Sequence, residues 1–131
     1  MREDYSERIR HFVSENDNIL LVFLFGSFVK GIPHEESDID LGIYFRKVPP
    51  TTEFLHLWDS LSEHLQREVD MVLLNTTDPI IRMQILKYGV LIKKDPRAYS
   101  DFFIRTLNEY DDLKYYRKEI EKNILRGRIY A

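Results

Sequence analysis

A glycine–serine pair, Gly26-Ser27, is followed after ten residues (28–37) by an Asp-x-Asp pair, Asp38-Ile39-Asp40. A chain that turns at Gly-Ser can aim backbone N–H groups and a hydroxyl at a phosphate. Aspartates at i and i+2 of a strand lie on one face. Nucleotidyl transfer moves charge onto phosphate oxygens and needs a hard cation to neutralise it. Mg²⁺ suits this role, because it takes one or two carboxylates together with phosphate and water oxygens. A paired site would hold two ions roughly 3.5–4 Å apart, one toward the attacking and one toward the leaving oxygen. Asp38 and Asp40 are the candidate shared ligands, and a third carboxylate is expected on a neighbouring strand. Asp70 meets that need: in Glu68-Val69-Asp70-Met71-Val72-Leu73-Leu74 it is a lone acid followed by four apolar residues. An acid is an odd choice for a buried strand without a purpose. Gly26 and Ser27 are the candidate triphosphate holders. The parts point to a nucleoside triphosphate bound through divalent metal.

These groups must be held by a sheet. The run Ile19-Leu20-Leu21-Val22-Phe23-Leu24 reads as a buried strand over 19–25 that delivers Gly26. Before it, Tyr5, Ile9, Phe12 and Val13 predict a helix over 3–15, closed by Asn16-Asp17-Asn18. Residues 26–31 read as a tight turn with a short helical piece, 32–36 as a loop, and 38–45 as a second strand. Val48-Pro49-Pro50-Thr51-Thr52 supplies a turn and an N-cap region for a helix over 53–66, whose stripe is Phe54, Leu57, Trp58, Leu61 and Leu65. A third strand over 68–74 carries Asp70. Asp78-Pro79 opens a helix that Gly89 ends, and Val90-Leu91-Ile92 is a short last strand. Asp95-Pro96 starts a long helix over 97–126. Its expected stripe is Tyr99, Phe103, Leu107, Tyr110, Leu113, Tyr116, Ile120 and Ile124, longer than a small sheet can cover.

The 131 residues suit one domain, 1–131, with a substantial core. A net charge of −3 argues against a protein that coats nucleic acid, and nucleic acid is not expected as a direct substrate. The absence of cysteine excludes a disulfide, a thiolate nucleophile and a cysteine-ligated zinc site. No apolar stretch reaches the roughly 18–20 residues of a membrane span, and the acidic start, Met1-Arg2-Glu3-Asp4, is unlike a secretory signal. A cytoplasmic protein is expected.

On Gly26, Ser27, Asp38, Asp40 and Asp70, at this spacing, the chain resembles the DNA polymerase β-like nucleotidyltransferase superfamily. Within it the chain is similar to the minimal nucleotidyltransferase family, which includes the MntA-type antitoxins paired with HEPN-domain toxins. The resemblance extends over most of the chain, including the helix from Pro79 to Gly89 and the long last helix with Arg105-Thr106-Leu107 and Tyr110. Lys30 stands where many relatives have Arg; it keeps the charge and loses the planar fork. The resemblance implies an α/β nucleotidyltransferase fold, a small mixed sheet flanked by helices. It also implies transfer of AMP from ATP to a tyrosine hydroxyl of a HEPN toxin, with this chain as the antitoxin. Two other readings stay open: an antitoxin that inhibits by contact alone, and a small-molecule nucleotidyltransferase of the antibiotic-modifying kind. No segment resembles an acceptor-binding domain, so a partner is expected to supply the acceptor. Oligomerisation is left open.

Other residues have plainer readings. Ser37 is a turn hydroxyl before a strand. Lys30 reads equally as a phosphate contact and as a solvated loop lysine. His34, between Pro33 and Glu35-Glu36, and the Glu63-His64 pair read as surface. The basic stretch from Lys114 to Arg128 reads as a solvated face, with a partner or RNA contact as the alternative.

Overall fold

The computed structural model describes residues 2–26 and 38–125. Its centre is β1 (Ile19–Phe25), which lies between β2 (Ile39–Phe45) and β4 (Val90–Lys94). The strand β3 (Val69–Leu73) flanks β2, giving the order β3-β2-β1-β4. β1 is antiparallel to both neighbours, while β2 and β3 are parallel. A parallel pair needs a long crossover, and the helix α2 (Thr51–Leu65) supplies it. The other helices are α1 (Arg2–Val13), α3 (Pro79–Tyr88) and α4 (Pro96–Leu125). The expected mixed sheet with flanking helices and a long last helix is what forms.

The continuous apolar run of β1 follows from its central place, because both sheet faces are covered. On one face Val22, Leu24, Ile39, Leu41, Ile43, Val69 and Met71 pack with Ile9 and Val13 of α1 and Leu61 and Leu65 of α2. On the other, Leu21, Phe23 and Leu74 pack with Ile85 of α3 and Ala98 and Phe102 of α4. A register shift between Ile19 and Leu21 places Ile19 with Val22 and Leu24 on the α1/α2 face, out of strict alternation.

Two local expectations need correction. The helix α2 starts at Thr51, so both threonines fall inside its first turn; Pro50 holds the N-cap position and gives no side-chain cap. Gly89 ends α3 as expected, in an extended conformation. Glycine is needed there because a Cβ would lie 2.6 Å from the Ile85 carbonyl oxygen, the atom that accepts the Gly89 N–H. The buried stripe of α4 is Ala98, Phe102 and Thr106, one position before the expected Tyr99, Phe103 and Leu107. The Asp95 carboxylate caps the Ala98 N–H at 3.0 Å, which sets the helix phase, and Phe102 then inserts against Phe23 and Tyr44. Phe103 is left 39% exposed. Beyond Glu109 the helix departs from the sheet, and Tyr115, Tyr116, Ile120 and Ile124 are exposed.

Candidate functional site

All the candidate groups that fall within the described residues meet at one end of the sheet. β1 finishes there at Phe25 and Gly26, and β2, β3 and β4 begin there. Asp40 is paired across the ladder with Phe25 on one side and Asp70 on the other. Adjacent strands lie about 4.8 Å apart, so the two acids are immediate neighbours. Ile39, Leu41, Val69 and Met71 point to the α1/α2 side. Alternation therefore places Asp38, Asp40 and Asp70 on the opposite face, the one that carries α3 and α4. Asp38 and Asp40 are half-buried and Asp70 is exposed on the edge strand.

Gly26 closes the arrangement. Its φ is +84°, a left-handed value, and a Cβ would fall 2.1 Å from Asp40 Oδ2. Backbone and carboxylate are thus in direct contact, and only glycine permits it. Burial raises the Asp40 carboxyl above the ordinary aspartate range, and the Asp70 and Asp38 charges push it the same way. Three carboxylates that repel one another make a place where a cation is favoured. Among the described residues no three His, Cys, Asp or Glu side chains form a closed metal-binding cluster. A magnesium ion that shares its shell with phosphate and water needs only one or two of them.

Ser27, with Lys30, His34 and Ser37, lies outside the described residues. Glu63 and His64 are exposed on α2, where the His64 ring packs against Phe12 at 5.0 Å. Among the described residues no helix is long and apolar enough to cross a membrane.

Two cavities flank the carboxylates. One of about 480 Å³ lies beside Asp70 and is bordered by Leu55, Trp58, Asp59, Arg67 and Glu68. The other, about 460 Å³, opens beside Gly26 against α3. Three supports carry no motif in the sequence, two beside this region and one toward the far end of the sheet. The Trp58 indole N–H donates to the Val69 carbonyl and so fixes the residue before Asp70. Ile81 and Tyr88 of α3 border the cavity at Gly26. Arg82, 2% exposed, donates to the Thr77 carbonyl, Thr106 Oγ1 and Glu109, tying α3 to α4. A lone arginine within Ile80-Ile81-Arg82-Met83 was the available signal for the last.

A mixed sheet with a glycine turn set against paired carboxylates defines a nucleotidyltransferase by fold. The Polymerase beta, Nucleotidyltransferase family model matches residues 7–98, more than half of the chain, and the chain belongs to that family. It is 25% identical over 105 residues to the protein adenylyltransferase MntA of Shewanella oneidensis, across 80% of this chain and 76% of the relative. The fold is shared with a toxin–antitoxin crystal structure containing AMP-PNP, with a TM-score of 0.78, 23% identity, and coverage of 92% of this chain and 98% of the other. It is also shared with the MNT antitoxin complexed with the tri-AMPylated HEPN toxin of Shewanella oneidensis, with a TM-score of 0.75, 21% identity, and coverage of 95% and 99%.

Proposed function

We propose that this chain is a metal-dependent protein adenylyltransferase. It moves AMP from ATP to a hydroxyl, a tyrosine hydroxyl in the first instance, on a HEPN toxin, and thereby acts as the antitoxin. The observation that carries the reading is the Gly26–Asp40–Asp70 alignment: a glycine turn in contact with one carboxylate, which is paired with a second on the next strand. The adenylyltransferase and toxin–antitoxin relatives support the choice of AMP and of partner.

Asp38, Asp40 and Asp70 would hold Mg²⁺, two ions in the paired arrangement, which supplies charge neutralisation at the phosphates. Gly26 and Ser27 receive the triphosphate. The acceptor oxygen attacks the α-phosphorus, the bond from that phosphorus to the oxygen bridging to the β-phosphorus breaks, and pyrophosphate leaves. Asp70, the exposed member of the three, takes the hydroxyl proton. The chain 1–131 works as one domain, in the cytoplasm, where ATP is at hand. The test is intact-mass spectrometry of the purified toxin after incubation with the chain, ATP and Mg²⁺. The toxin should gain AMP and lose activity, and Asp38→Asn should bind it without adding mass. Neutralisation with no mass gain, equal in wild type and mutant, would establish inhibition by contact.

A further inference from the structure

We infer that Trp58 is a positioning residue for Asp70: its indole N–H clamps the Val69 carbonyl from the open side of β3 and so sets where the Asp70 carboxylate stands beside Asp40; the inference rests on the adenylyltransferase reading above. β3 is an edge strand of five residues, with β2 on one side only. The Ile39 N–H donates to the Glu68 carbonyl at 3.0 Å, and the Leu74 N–H donates to the Ile43 carbonyl at 2.9 Å. Peptide groups alternate sides along a strand, so those of Glu68, Asp70 and Val72 face β2, and the Val69 carbonyl faces outward. Asp70 is paired with Asp40 across the ladder, and like charges placed opposite each other press the two strands apart at this end.

The clamp acts on Asp70 itself, because the Val69 carbonyl and the Asp70 N–H belong to one planar peptide unit. β2 holds that unit by its N–H edge, and Trp58 holds it by its carbonyl edge. The chain is built to bring the two together. α2 ends at Leu65 and Gln66, with a φ of +52°, reverses the chain, so β3 runs back along the helix and Val69 comes level with Trp58.

The indole is braced in turn from the strand that carries Asp40. Trp58 meets Phe54 edge-on, with ring centroids 6.1 Å apart, and Phe54 meets Phe45 of β2 edge-on at 6.0 Å. A line of contacts therefore runs from β2 through α2 to the outer side of β3, a second tie between the two acid-bearing strands besides the ladder. Trp58 and Val69 both border the open cavity of about 480 Å³, where water could take the carbonyl's hydrogen bond. What the indole adds is a fixed direction, and carboxylates that act together must be held to within about 0.5 Å.

Trp58 is the sole tryptophan of the chain, so it can be exchanged alone for benzothienylalanine, which keeps the ring shape and lacks the N–H. This exchange and Trp58→Phe are assayed in the full chain with the toxin, ATP and Mg²⁺, below the melting temperature of each variant. Both should lower kcat for AMP transfer by about tenfold to a hundredfold, as expected for a displaced reacting group, and leave KM for ATP unchanged. On an Asp70→Asn background neither should lower kcat further, because the effect passes through Asp70. Calorimetric titration with Mn²⁺ in the presence of tripolyphosphate reads the same coupling without turnover. Each Trp58 variant and Asp70→Asn should weaken Mn²⁺ binding, and the double variants should bind it no worse than Asp70→Asn alone. A wild-type kcat in the benzothienylalanine variant, or losses that multiply with Asp70→Asn in either series, overturns the inference and leaves the adenylyltransferase reading standing. If wild type transfers no AMP while the Mn²⁺ series shows the coupling, that reading falls and the positioning role stands. If wild type neither transfers AMP nor binds Mn²⁺, both fall.

Discussion

The two ends of the sheet are built on opposite terms. At the far end, polar groups are paired closely. The Asn75 side chain exchanges two hydrogen bonds with the Phe45 backbone, both 2.9 Å, and Asn18 does the same with Lys47 at 2.8 and 2.9 Å. Nearby, the buried Arg82 guanidinium is shared among a carbonyl, a hydroxyl and the Glu109 carboxylate. At the other end, Gly26 holds a left-handed backbone, Asp40 is pushed toward its neutral form, and like charges face each other across adjacent strands. Close pairing is thus built into one end, while the other holds like charges in an arrangement that a bound cation would relieve.

The comparison breaks most sharply at the carboxylates. Asp38→Asn or Asp40→Asn should remove several kcal/mol of transition-state stabilisation, enough to abolish transfer in a labelled-ATP assay. The same Asp40→Asn chain should melt at or above the wild-type temperature, because it loses a repelled charge. A clear fall in melting temperature would show that the acids hold the fold together. Next comes Gly26→Val, which places a side chain on Asp40 and forces a β-branched residue into positive φ, at a backbone cost of about 1–2 kcal/mol before any clash. Calorimetry with ATP and Mg²⁺ should show binding lost, and a smaller loss in Ser27→Ala, of about 1–3 kcal/mol for one hydrogen bond to a charged group.

At the far end the signs reverse. Arg82→Met should cost roughly 2–3 kcal/mol in urea denaturation, less than a fully buried ion pair because Glu109 is partly solvated. Per folded molecule, transfer should be little changed. Hydrogen bonding from Arg82 and Arg105 holds the Glu109 carboxyl below its ordinary value, against the opposing effect of burial. A depressed folded pKa contributes stability above the unfolded value of 4.5, and that contribution is lost as pH falls through the folded value. Glu109→Gln should therefore flatten the decline in wild-type stability on the acid side of 4.5; parallel curves would remove the pair from the stability account. The smallest effect on folding is expected at Tyr116→Ala and Ile120→Ala. Both should stay within about 0.5 kcal/mol of wild type and yet weaken capture of the toxin in a pull-down.

The site end was the more legible of the two in the sequence. Gly26, Asp38, Asp40 and Asp70 are few, chemically unusual in apolar surroundings, and spaced by strand geometry, so their convergence could be anticipated. The phase of α4 could not. Its buried residues include Ala98 and Thr106, which carry little apolar signal, while the larger Tyr99 and Phe103 one position on dominate any count of periodicity. What fixed the phase was a cap at Asp95 and one well-filled socket for Phe102, both tertiary facts. The Arg82 cluster was hidden for a similar reason, since its partners lie 24 and 27 residues away in the chain.

The helix α4 has a consequence for how a partner is worked on. Its 30 residues span about 45 Å. It crosses the far end of the sheet, where Arg105 reaches the Asn75 carbonyl. Five strand steps, about 17 Å, separate that end from Asp40. On the proposed function, a partner gripped by the exposed half of α4 would be anchored apart from the carboxylates, so that grip and transfer could be broken separately. Such an anchor would raise the local concentration of acceptor hydroxyls around Asp40 without itself entering the site.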